Sequence, residues 1–168
     1  AREGLDEQVV AANIDVVLVL TALTEEFNAR RLERSLSLSL EAGAVPVLVL
    51  TKPDLCGTPE SIIAEAKTLG RNVDVVSVDP REAQSVDALA PWLLPGHTLA
   101  LLGSSGVGKS TLINRLLGQS KQLEGAVRKD GKGRHTTTTR HLFVAPSKTM
   151  LIDTPGMREL GLWAAASG

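Results

Sequence analysis

Apolar runs rich in Val, Leu and Ile recur along the chain at Val16–Leu20, Val45–Leu50, Val73–Val78, Thr98–Leu102 and Met150–Ile152. Most are continuous rather than alternating, which is the pattern of strands covered on both faces by helices. A sixth segment, Arg140–Ala145, alternates more clearly. The turn-forming Pro146-Ser147-Lys148 separates it from Met150–Ile152, so the pair predicts an antiparallel hairpin at a sheet edge. Helical segments fill the intervals. Phe27 to about Ala42 carries Leu32, Leu36 and Leu40 at four-residue spacing and stops at Gly43. Thr58 and Pro59 fit an N-cap and first helical position, and Gly70 is expected to close that helix. Ser85–Leu93 is a shorter helix, and Lys109–Leu117 is followed by Gly118. The order predicts an α/β fold, a doubly wound sheet of about six strands with one antiparallel edge hairpin. Residues 119–139 hold little apolar content, several Gly and many Lys or Arg, and read as a long loop.

Composition narrows the class. The chain has 168 residues, 43% hydrophobic and 22% charged, which suits one domain with a real core. Cys56 is the single cysteine, so neither an internal disulfide nor a Cys-based zinc site forms within these residues, and a reducing cytoplasm is expected. No apolar run reaches about 18 residues, so no membrane helix is expected. Aromatics are 2%, which argues against modules that stack bases on several rings. The net charge of −1 hides a split. Residues 1–100 carry 8 Lys/Arg against 15 Asp/Glu, and residues 101–168 carry 10 against 4. The second part is therefore expected to meet anions. Most of its excess lies between Arg115 and Arg140, with 7 Lys/Arg against 2 Asp/Glu.

The segment Gly103-Ser104-Ser105-Gly106-Val107-Gly108-Lys109-Ser110 fits G-x-x-x-x-G-K-[ST] between a strand and a helix. Glycines let successive backbone N–H groups face inward, and the helix N-terminus adds partial positive charge. Lys109 is placed to reach β- and γ-phosphates and Ser110 to ligate Mg²⁺, with Thr111 completing the phosphate-binding set. Asp153-Thr154-Pro155-Gly156 follows the strand Met150–Ile152. A carboxylate there suits Mg²⁺, and the Gly156 N–H suits a γ-phosphate. Upstream, Thr51-Lys52-Pro53-Asp54 follows another strand. The Asp54 carboxylate can accept from the N1–H and exocyclic amine of guanine, a donor pair that adenine lacks. The Lys52 stem can lie along the base. Taken alone, Pro-Asp is ordinary turn chemistry. Ser77-Val78-Asp79 ends the next strand, where a backbone N–H could meet the guanine O6.

Together these segments resemble the motif set of a translation-factor-type GTPase in rotated order, because Thr51–Asp54 and Ser77–Asp79 precede Gly103–Ser110. That is the signature of circularly permuted GTPases. Gly131-Lys132-Gly133-Arg134-His135-Thr136-Thr137-Thr138 is similar to the switch of the ribosome small-subunit-dependent GTPase A family, and Ala11–Asp15 and Glu159–Trp163 resemble its flanks. The resemblance implies GTP hydrolysis, stimulation by the small ribosomal subunit and a role late in that subunit's maturation. It implies GTP or GDP with Mg²⁺ as ligands, rRNA as a partner, no membrane, and a monomer in the cytoplasm. A switch threonine among Thr136, Thr137 and Thr138 would ligate Mg²⁺. Met157 stands where other GTPases carry a catalytic Gln, and a thioether does not orient water, so His135 is the catalytic candidate, set against a solvated loop histidine. Residues 1–168 are expected to form one permuted GTPase domain. The family's oligonucleotide-binding barrel before it and zinc domain after it are expected to be missing. Thr51 stands where many relatives have Asn. The alternatives are a nucleotide-dependent binding module with negligible turnover, a permuted GTPase of large-subunit assembly, and an ATP-using P-loop kinase. Arg128, Lys129, Lys132 and Arg134 are expected to face phosphate, of nucleotide or rRNA.

Overall fold

The computed structural model describes residues 13–24, 27–70, 72–118 and 141–153. The five apolar runs and the alternating segment become strands: β1 (Val16–Ala22), β2 (Val45–Thr51), β3 (Asp74–Val78), β4 (Thr98–Leu102), β5 (His141–Val144) and β6 (Met150–Asp153). The helices are α1 (Ala29–Glu41), α2 (Pro59–Ala66), α3 (Ala83–Val86) and α4 (Lys109–Leu116). One sheet runs in the order β3-β2-β1-β4-β6-β5. All neighbours are parallel except β5 and β6, which form the expected hairpin.

Strand alternation divides the core into two layers. Val16, Leu18, Leu20 and Ala22 face one cluster with Val86, Leu89, Leu112 and Ile113. Val17 and Val19 face the other with Leu32, Leu36 and Ala66. Helices α1 and α2 thus cover one face, and α3 and α4 the other. The change of face falls where the chain moves from the β1–β3 side of the sheet to β4. Such a switch point leaves a crevice at the carboxyl ends of the strands.

Local differences from the sequence reading have physical causes. Leu32 and Leu36 are buried, but Leu40 is 54% exposed, and the third inward position is Ser39. The inward stripe follows a spacing of three and four rather than four throughout. Ser35 and Ser39 satisfy their hydroxyls by donating to the carbonyls of Arg31 and Ser35 one turn back. Asn28 caps α1, its side chain accepting from the Arg31 N–H at 3.0 Å. Thr58 occupies the N-cap position of α2 without a side-chain cap bond. That helix ends at Ala66 rather than at Gly70, because the Thr68 and Leu69 N–H groups reach back only three residues. Gly70 matters for space instead, since a Cβ there would lie 2.6 Å from Val73 Cγ2. The Ser85–Leu93 helix begins earlier, at Ala83, and tightens into a 3₁₀ segment, Asp87–Trp92, containing Pro91. Proline lacks the N–H that an α-helical bond would need there.

Candidate functional site

Four segments converge on the carboxyl edge of the sheet: the ends of β2, β3, β4 and β6. The loop between β4 and α4 is shaped by its glycines. A Cβ on Gly103 would lie 2.7 Å from the Leu20 carbonyl oxygen, so only glycine lets the loop leave β4 this close to β1. Gly108 caps α4 in a left-handed conformation with φ of 107°. Val107 is fully buried and anchors the loop from beneath. Ser105, Gly106, Ser110 and Thr111 are exposed, while Ser104 and Lys109 are half-buried. The Lys109 ammonium lies over the loop, donating to the carbonyls of Gly103 at 2.6 Å and Ser104 at 3.0 Å. Burial pushes its pKa below the usual lysine value, and the Asp153 carboxylate works against that shift. Asp153 ends β6 in register with Leu101 of β4, so the carboxylate stands beside the strand that feeds the loop.

The segment after β2 is tied to this loop. Thr51 is fully buried, and its hydroxyl donates to the Val107 carbonyl at 2.7 Å, with the Thr21 carbonyl farther off at 3.3 Å. Lys52 then takes a left-handed conformation, φ 56° and ψ 49°. A residue before proline ordinarily avoids this region, so the turn stores strain. It delivers Pro53–Leu55 as a 3₁₀ turn with the Asp54 side chain 41% exposed at its surface. At the end of β3, Val78 is buried and Ser77 exposed. The Asp79 N–H donates to Ser85 Oγ at 2.8 Å. The Asp79 carboxylate accepts from the Arg81 N–H, Nε and Nη2. Those bonds hold its pKa below the usual carboxylate value. Arg81 Nη2 also reaches Asp54 Oδ1 at 3.0 Å. From α4, Arg115 donates to the carbonyls of Arg81 and Pro80.

The structure thus brings together Thr51, Lys52, Pro53, Asp54, Ser77, Val78, Gly103–Ser110, Thr111 and Asp153. His135, Thr136, Thr137, Thr138, Gly156 and Met157 lie outside the described residues, as do Arg128, Lys129, Lys132 and Arg134. Sequence reasoning missed Arg81, and it counted Arg115 only as charge. The available signal was the Asp79-Pro80-Arg81 spacing, since an Asp readily accepts from the backbone N–H two residues on. Among the described residues no group of three or more His, Cys, Asp or Glu could hold a metal ion by itself. A cation here would need water or ligand oxygens beside Ser110 and Asp153, and two hard oxygen donors suit Mg²⁺ used in that way. No described helix is long and apolar enough to cross a membrane.

Comparison with known proteins adds the lineage. The RsgA GTPase family model matches residues 1–163. The small ribosomal subunit biogenesis GTPase RsgA of Methanosarcina acetivorans is 44% identical over 169 residues, covering 100% of this chain and 46% of the relative. Its namesake in Xylella fastidiosa is 51% identical over 162 residues, covering 95% and 48%. The chain therefore spans about half the length of these curated relatives. Among solved structures, YjeQ from Thermotoga maritima aligns with a TM-score of 0.62 at 24% identity, over 86% of this chain and 48% of that one. YloQ, described as a circularly permuted GTPase, aligns with a TM-score of 0.62 at 22% identity, over 88% and 46%. At that identity the likeness carries the fold alone, which is that of the permuted GTPases.

Proposed function

The chain belongs to the RsgA GTPase family, and on that premise we propose that it binds GTP and GDP at the carboxyl edge of its sheet and hydrolyses GTP in the service of small-subunit maturation. One observation carries the site assignment. The Thr51 hydroxyl fastens the base-side turn to the Val107 carbonyl of the phosphate loop across 56 residues of sequence. A nucleotide lying along that join would meet Asp54 with its base and Gly103–Ser110 with its phosphates.

Each residue then has a defined task. Loop N–H groups and the start of α4 face the phosphates. Lys109 exchanges its two carbonyl partners for phosphate oxygens, and burial strengthens that attraction. Ser110 and Asp153 are the described residues that would hold Mg²⁺, with a switch threonine from Thr136–Thr138. When bound, Mg²⁺ neutralises charge on the β- and γ-phosphates. Asp54 accepts from guanine N1–H and the exocyclic amine, and Lys52 lies along the ring. Gly156 N–H contacts the γ-phosphate. His135 orients the attacking water where Met157 is unable to. Small-subunit rRNA is the partner of Arg128, Lys129, Lys132 and Arg134, and charge swaps there would lower ribosomal stimulation more than nucleotide affinity.

The test joins binding to turnover. Asp54→Ala should weaken GTP binding far more than ATP binding, because it removes acceptors that only guanine uses. GTP turnover, measured with and without small ribosomal subunits, should rise with the subunits. An Asp54→Ala protein that kept its full guanine preference would refute the base assignment. Absence of turnover under both conditions would leave a binding module.

A further inference from the structure

Arg81 lies outside every motif described above, yet it touches two of the segments that build the site. Its own loop fixes it from three sides. Asp79 accepts from its backbone N–H at 3.0 Å, its Nε at 2.9 Å and its Nη2 at 2.7 Å. Ser85 Oγ holds the Asp79 N–H, and Arg115 of α4 holds the Arg81 carbonyl. Pro80 packs close to the phosphate loop, since a Cβ on Gly108 would sit 3.4 Å from Pro80 Cγ. The guanidinium is therefore positioned before it reaches Asp54. Asp54, by contrast, stands on a short exposed turn after a strained residue, and among the described residues Arg81 Nη2 is the polar contact made to its carboxylate.

We propose that Arg81 is a positioning residue for base recognition, holding the Asp54 carboxylate in the orientation that accepts both guanine donors at once. The proposal rests on the reading of Asp54 given above. A carboxylate oxygen offers more than one acceptor site, so Oδ1 can keep Arg81 at its side while the carboxylate faces a base. Two parallel hydrogen bonds demand a fixed carboxylate plane, whereas a single bond tolerates rotation. Losing Arg81 therefore penalises a two-donor base more than a one-donor base. Fixing a free side chain on binding costs enough to weaken a ligand roughly 2- to 10-fold.

GDP, IDP and ADP separate these cases, because hypoxanthine keeps N1–H but lacks the exocyclic amine, and adenine lacks the N1–H. Isothermal titration on the 168-residue chain should order them GDP, IDP, ADP from tight to weak. Arg81→Ala should lower the GDP-to-IDP affinity ratio by roughly 2- to 10-fold, and Arg81→Lys should restore part of it. High salt should move the wild-type ratio towards that of Arg81→Ala, since Arg81 and Asp54 are both exposed and their pairing is screened. Thermal melts of each variant check that the exposed substitution leaves the fold intact. Equal losses for GDP and IDP would overturn the proposal, because they indicate a general charge or structural effect. Tighter GDP binding by Arg81→Ala would overturn it too, by making Arg81 a competitor for Asp54. Asp54→Ala in the same series tests the underlying reading. If it leaves GDP preferred over ADP, both fall. If it abolishes the preference while Arg81→Ala changes no ratio, only the positioning role falls.

Discussion

Replacing Thr51 with Val tests the join between the two halves of the site. The side chains have nearly the same volume, so the change removes one hydroxyl from a fully buried position. The Val107 carbonyl then loses its 2.7 Å donor inside the protein. Leaving a buried acceptor without its partner costs about 1–3 kcal/mol. Burying the extra methyl returns up to ~0.8 kcal/mol. The net loss should therefore be about 1–2 kcal/mol, or roughly 2–8 °C in Tm for a domain of this size. Thr51→Ser is the control, since it keeps the donor and gives up one methyl at a cost of about 1 kcal/mol. Urea denaturation followed by circular dichroism gives the stabilities, and fluorescent guanine nucleotides give the affinities. Both variants should lose stability with an unchanged denaturant slope. Only Thr51→Val should also lose nucleotide affinity, because only it releases the phosphate loop. A Thr51→Val protein as stable as wild type, with wild-type affinity, would show that the hydroxyl holds nothing in place.

Three further outcomes follow from the same geometry. Gly103→Ala forces a methyl to 2.7 Å from the Leu20 carbonyl, a backbone atom of the central strand, and should cost about 1–3 kcal/mol in denaturant unfolding; an unchanged midpoint would contradict the close approach. Lys109 has a folded pKa below its ordinary 10.5, so between the two values the unfolded chain holds more protons and stability rises with pH. The desolvation penalty is fully present below that window, and a urea series taken up to pH 10.5 should show the rise in wild type and its loss in Lys109→Met. Lys52→Gly relieves a left-handed residue and should raise stability by up to ~1 kcal/mol, whereas Lys52→Val should lower it, as equilibrium denaturation would show.

What the sequence revealed was decided by short-range chemistry. Five apolar runs and one alternating segment mark the six strands, because strand patterning is written in the strand's own residues, whether it lies inside the sheet like β1 or at an edge like β5, where Leu142 and Val144 are exposed. Gly43 and Gly118 announce helix ends because only glycine enters the left-handed region freely, and both carry positive φ. The phosphate loop is legible because its glycines, lysine and serine are contiguous. Features that stayed hidden depend on partners far along the chain. Nothing near Thr51 says that its hydroxyl meets Val107, and nothing near Arg81 says that it meets Asp54. The exposure of Leu40 and the burial of Ser39 likewise depend on how α1 sits on its sheet face, which periodicity leaves open within one helical position.

The place of β1 in the sheet bears on how the chain is made. It pairs with β2 on one edge and β4 on the other. Residues from β1 to β2 leave the ribosome close together, with α1 between them, so the first edge closes early. The second edge waits for Thr98–Leu102, about 75 residues after Ala22. At roughly 5–20 residues per second, that interval lasts about 4–15 s. For that time the nascent chain carries an apolar, unpaired strand edge, which is a template for pairing with other chains. The turn carrying Asp54 exists during this interval, but the Gly103–Ser110 loop does not, so on the proposed site a nucleotide is no help in stabilising the half-made fold. Pausing translation between residues 51 and 98 should therefore raise aggregation.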